Sequence, residues 1–145
     1  MEAQRKNCIR RINYLTTEMD ALYHQSSLKL GISDSVSIVL YAIYESDGEC
    51  LLSDIYKKSG LRKQTVNSAI RSLEAGGILY LQAYTKRAKK VLLTQKGKAY
   101  VQETAARLYE AEVRAFDTWP EAEVEMYIQL MEKYARCFRQ EIEKL

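Results

Sequence analysis

LLSDIYKKSGLRKQTVNSAIRSLEAGGILYLQAYTKRAKKVLLTQKGKAYV, residues 51–101, decides how the 145-residue chain folds. Ser53 opens a short helix to about Lys58, and Gly60 falls where a left-handed helix cap is needed. Three residues later two interleaved stripes begin. Val66, Ala69, Ile70 and Leu73 are apolar; Gln64, Asn67, Ser68 and Arg71 are polar. Both stripes step i, i+3, i+4, i+7, and residues two apart lie about 200° apart on a helix, so one side is core and the other is free to form hydrogen bonds. Gly76-Gly77 stops this helix. ILYLQAY (78–84) and VLL (91–93) suit strands, and they flank the basic run TKRAKK. A β-hairpin with a charged tip follows. Its turn lacks Asn-Gly, which predicts a longer, mobile loop.

Two helices joined by a short glycine-containing turn, the second with a continuous polar face, form the helix-turn-helix pattern. A helical hairpin with a solvated outer face gives the same pattern. The basic hairpin that follows directly makes the winged variant the better reading. Gln64, Asn67 and Arg71 can each offer paired hydrogen bonds to base edges in a major groove, Arg to guanine and Asn or Gln to adenine. Lys63, Thr65 and Ser68, near the start of the same helix, are suited to phosphate oxygens. Arg87 at the wing tip suits a narrow minor groove, and Lys86 and Lys89 suit the backbone.

Outward from this stretch the chain is helical. Cys8, Ile12, Leu15, Met19 and Leu22 alternate steps of four and three, an amphipathic helix ending between Ser26 and Gly31. Ser33 or Asp34 caps a second helix whose Val36, Val39, Leu40 and Ile43 face a core, and SDGE (46–49) ends it. On the C-terminal side, Thr94 caps a helix expected to run from Gln95 to Trp119, broken by Pro120. Val124, Ile128, Met131, Ala135, Phe138, Ile142 and Leu145 then repeat with heptad spacing. Packing within one chain would satisfy such seams, but they lie at both chain ends, so a homodimer through Ile12, Leu15, Met19, Val124, Ile128, Met131, Phe138 and Ile142 is expected.

Composition agrees with a folded, helix-rich protein: 47% hydrophobic and 28% charged, with one proline and six glycines. The net charge of +3 conceals a division. Between Lys57 and Lys98 eleven bases face one acid, Glu74, giving +10; the remaining eleven bases and eighteen acids give −7. A basic block in an otherwise acidic chain is the footprint of a surface that binds polyanions. Cys8, Cys50 and Cys137 are odd in number and far apart, fitting neither a disulfide framework nor zinc spacing, so a reducing cytoplasm is the simpler setting and buried inert thiols are favoured over redox sensors. The charged N-terminus lacks the apolar run of a signal peptide, and no stretch predicts a membrane span.

The same run, above all TVNSAIRSLEAGGIL and the wing exit VLLTQKGK, resembles the DNA-binding core of the MarR family of winged helix-turn-helix transcription regulators. The resemblance implies a mostly α fold with a small β-hairpin wing. Residues 1–145 would form a single domain, with a winged lobe at 33–98 and long dimerisation helices at 1–30 and 99–145. It further implies a bacterial or archaeal homodimeric regulator, usually a repressor, on a palindromic double-stranded operator, with a small aromatic effector in many relatives. The chain departs from the family pattern twice. Thr85 stands where an aspartate often orients the wing arginine, and Arg62 replaces a Ser or Thr cap, whose loss costs about 0.5–2 kcal/mol, a cost that a phosphate contact from Arg62 would offset in a DNA complex.

Three other readings stay open. For an enzyme, the chain offers one histidine, His24, no glycine-rich phosphate loop and scattered carboxylates. A metal sensor would need His24 with Cys8 or Cys50 and a carboxylate. A winged module for protein contact or replication control would turn its basic wing to RNA or an acidic partner. Neither a cofactor nor a metal is expected. Tyr14, Tyr23, Tyr41 and Tyr44 are read as core, and no effector-binding residue is assigned.

Overall fold

The computed structural model describes all 145 residues. Their order is α1 (Glu2–Leu30), α2 (Asp34–Tyr44), β1 (Glu49–Leu51), α3 (Leu52–Ser59), α4 (Lys63–Ala75), β2 (Leu79–Ala83), β3 (Lys89–Leu93), α5 (Gln95–Glu103), α6 (Ala105–Ala115) and α7 (Glu121–Ile142). The fold is mostly helical with a small antiparallel sheet, as expected. Packing divides the chain into two compact units, Met1–Tyr109 and Glu110–Leu145, so the boundary falls inside α6.

In the first unit, the apolar stripes meet where their spacing predicts. Val39, Leu40 and Ile43 of α2, Ile55 of α3, Val66, Ala69, Ile70 and Leu73 of α4, and Ile78, Leu79 and Val91 of the wing form one core with Val101 and Ala105. Ser33 caps α2, its hydroxyl accepting from the Val36 amide at 3.2 Å. Gly60 ends α3 at φ 65, a backbone state that side chains with a Cβ disfavour. α3 starts one residue before the expected Ser53, and no side chain caps it.

The wing is larger than a hairpin. Its sheet has the order β1-β3-β2, with Cys50 and Leu81 both opposite Val91. The sequence reading missed β1, because three residues are too few to show alternation and their partner lies some forty residues onward. The tip is also tighter than the long loop expected. Only Tyr84–Ala88 connect the strands, and the Tyr84 amide donates to the Ala88 carbonyl at 2.9 Å.

Thr94 joins the wing to α5. Its hydroxyl donates to the Gly77 carbonyl at 2.6 Å and accepts from the Gly97 amide at 2.9 Å. The expected Gln95–Trp119 helix is two helices. At Thr104 the backbone leaves helical geometry (φ −125, ψ −90), and its buried hydroxyl donates to the Tyr100 carbonyl at 2.7 Å. A hydroxyl bonded back to the preceding turn bends a helix, a signal that apolar periodicity does not carry. α6 then ends at Ala115, before Trp119.

α1 and α7 leave apolar faces open. On α1 only Ser27 is buried; Ile12, Leu15, Met19 and Leu22 are exposed, Leu15 by 54%. Tyr14 and Tyr23 are exposed too, which corrects their reading as core, whereas Tyr41 and Tyr44 are half-buried and pack on the core. In the second unit α7 buries no residue. Ile128, Met131, Phe138 and Ile142 are exposed and Val124 is half-buried. Phe116, Trp119 and Tyr127 form an aromatic cluster at the start of that unit, with ring centroids 5.0–6.3 Å apart.

Candidate nucleic-acid interface

The apolar side of α4 enters the core and turns its other side outward. Gln64, Ser68 and Arg71 are exposed, with Thr65 and Asn67 half-buried beside them. Arg62 is the N-cap residue and makes no side-chain cap; its carbonyl accepts from the Thr65 and Val66 amides at 3.0 and 3.1 Å. The Arg62, Lys63, Gln64, Ser68 and Arg71 side chains therefore reach solvent from one end and one face of α4.

Asn67 has an internal partner. The Tyr56 hydroxyl of α3 donates to its Oδ1 at 2.5 Å, and the Lys63 ammonium lies 5.5 Å from the Tyr56 ring centroid. Tyr56 thus links three positions of the helix-turn-helix. Sequence reasoning missed it, since nothing in an eleven-residue separation across a turn marks the pair.

In the wing, Thr85 orders the backbone of the tip. Its Oγ1 accepts from the Arg87 and Ala88 amides at 3.3 and 3.0 Å, which fixes the backbone that carries Arg87. The Lys86 and Arg87 side chains are exposed at the tip. Lys89 is exposed within β3, opposite Ala83. Lys90 is engaged: its ammonium meets Glu49 Oε1 of β1 at 2.5 Å and sits 5.1 Å over the Tyr84 ring. The Glu49 hydrogen bond holds Lys90 above its ordinary pKa. Lys58 donates to Ser46 Oγ at 3.0 Å and Lys96 to the Gly76 carbonyl at 2.9 Å. These internal bonds take Lys58, Lys90 and Lys96 out of the basic block and leave the α4 start, Arg71, the wing tip with Lys89, and the exposed Lys57 and Lys98 available to an outside anion.

The other chemistry-bearing residues lie elsewhere. His24 Nδ1 is 2.8 Å from Asp34 Oδ2, joining α1 to the first turn of α2, and this bond holds the Asp34 carboxyl below its ordinary value. No three His, Cys, Asp or Glu side chains come together as a metal site. Cys50 is buried, and burial raises its thiol pKa; Cys8 and Cys137 are exposed, contrary to the expectation of buried thiols. No single helix is long and apolar enough to cross a membrane.

Residues 30–87, from the end of α1 to the wing tip, match the model of the MarR family. No curated protein matches the sequence closely enough to count as a relative. Among solved structures, a MarR family regulator from Neisseria meningitidis is 22% identical with a TM-score of 0.78, the match covering 97% of each chain. MepR of S. aureus, solved as a complex with DNA, is 21% identical with a TM-score of 0.67 over 89% of this chain and 96% of its own. BpsR of Bordetella bronchiseptica, whose DNA binding is regulated by 6-hydroxynicotinic acid, is 21% identical with a TM-score of 0.66, over 86% of this chain and 98% of its own. Residues 30–87 are thus similar to the MarR family, and nearly the whole chain has the fold of solved MarR family regulators.

Proposed function

We propose that the protein is a non-enzymatic transcription regulator that binds double-stranded DNA by sequence. The observation that carries this reading is the solvent-facing polar side of α4 beside a basic wing whose tip backbone is fixed. In this reading Gln64, Asn67 and Arg71 contact base edges, while Arg62, Lys63, Thr65 and Ser68 hold phosphates. Lys86, Arg87 and Lys89 bring the wing to the adjacent groove.

The protein acts as a homodimer on a palindromic operator, with half-sites about one helical turn apart. The open apolar faces of α1 and α7 support this, since monomers rarely leave faces of that kind unburied. Repression in the cytoplasm of a bacterium is the regulatory outcome that the MarR resemblance favours. A small aromatic effector is the class of ligand that it favours, as in the Bordetella protein.

The test is fluorescence-anisotropy titration of the protein with its own upstream DNA and with a scrambled duplex, across a salt series. A regulator binds the native duplex at least roughly 10³-fold more tightly than the scrambled one. Equal, steeply salt-dependent binding to both would reduce the interface to a basic surface. No binding to either at low salt would overturn the reading in favour of a protein-contact module.

A further inference from the structure

Resting on the reading of α4 as the base-contacting helix, we infer that Tyr56 sets the sequence preference of Asn67, placing guanine or thymine ahead of the adenine that an unrestrained asparagine would favour. A free carboxamide offers one accepting and one donating prong, and adenine, with N6–H₂ beside N7, matches both. Asn67 is not free. Its Oδ1 accepts the Tyr56 hydroxyl at 2.5 Å, on the side of α3, and the residue is half-buried there. With the oxygen turned toward α3, the outward prong is the amino group, a donor only. The major-groove atoms that accept from it are guanine O6 and N7, thymine O4 and adenine N7; adenine keeps only one of the two bonds it would make to a free carboxamide, guanine offers two acceptors side by side, and cytosine presents only a donor.

The tyrosine itself is held. Lys63 lies 5.5 Å over its ring, and Ser59 Oγ reaches its carbonyl at 3.5 Å. A ring clamped from the recognition helix and a hydroxyl engaged on the same helix make Tyr56 a positioning residue. It need not touch DNA.

The experiment starts from an operator found by the titrations above. Each base pair is varied to all four bases and anisotropy is measured for the unaltered protein, Asn67→Ala, Tyr56→Phe and Asn67→Asp. The pair whose discrimination flattens in Asn67→Ala is the one Asn67 reads. There the unaltered protein binds a keto base roughly tenfold more tightly than cytosine, about the discrimination of one good contact, with adenine in between. Tyr56→Phe, which keeps the ring under Lys63 and loses the hydroxyl, frees the amide and moves adenine to first place at that pair alone. Asn67→Asp keeps an acceptor for Tyr56 and turns an oxygen outward, so it reverses the order toward amino bases and carries the test should Tyr56→Phe fold poorly. A preference for adenine in the unaltered protein, or an order unmoved by both substitutions, overturns the inference and leaves the regulator reading intact. Failure to discriminate any duplex overturns the regulator reading, and that outcome is visible before any variant is made.

Discussion

At the scale of single residues, interior partners decide which surface groups are free. Asn67, Lys58, Lys90 and Lys96 look equivalent to their neighbours in a sequence, yet each is bonded to a residue of another element or turn. The same logic gives a pH prediction at His24 and Asp34. A carboxyl whose folded pKa lies below its unfolded value contributes stability above the unfolded pKa and loses it as pH falls through the folded one. The His24 bond lowers Asp34, so the stability gap between the protein and Asp34→Asn should be present at neutral pH and should close as the solution falls below about pH 4, the ordinary carboxylate range. Urea denaturation of both proteins at several pH values measures that gap. A gap that widens in acid would contradict the assignment.

At the scale of elements, the tightest junction is where the wing turns into α5. Gly97 lies in the first turn of α5 against the Ile78 carbonyl, and a Cβ added to it would come within 1.8 Å of that oxygen. The neighbour is backbone, held by the Thr94 amide at 3.0 Å, so it cannot swing aside. Gly97→Ala should therefore lower stability by about 1–3 kcal/mol, as overpacking does, in place of the gain that glycine-to-alanine usually brings to a helix. Thermal melts of the two proteins distinguish loss from gain. This junction also marks how far the sequence could be read. Ser33, Gly60 and Thr94 announce their helix ends through their own chemistry, and the two stripes of α4 separate core from surface by spacing alone. What could not be read depended on distant partners or on one hydroxyl: β1, paired with a strand about forty residues onward; the bend at Thr104; and Tyr56 behind Asn67. The tip of the wing was read as loose because no turn dipeptide was present, although Thr85 closes it with its side chain.

At the scale of the whole molecule, the open faces of α1 and α7 make a statement about concentration. If a second copy covers Leu15, Met19, Ile128 and Met131, folding and association are linked, and the melting temperature should rise as protein concentration rises. Ile128→Glu would place a charge in that seam, and its melting temperature should be lower and independent of concentration. Sedimentation velocity should then give a monomer where the unaltered protein gives a dimer. A melting temperature that does not vary over a hundredfold dilution in either protein would argue for a self-sufficient monomer.

The division of charge along the chain bears on how the protein meets a polyanion. Beyond several screening lengths, each about 8 Å at physiological salt, a duplex responds to little more than the weak total of +3. At closer range it is repelled by residues that together carry −7 and attracted by a 42-residue stretch that carries +10. For the regulator proposed above, capture would thus be governed by orientation: collisions that present the wrong surface would separate, and those that present α4 and the wing would be retained long enough to be searched for sequence.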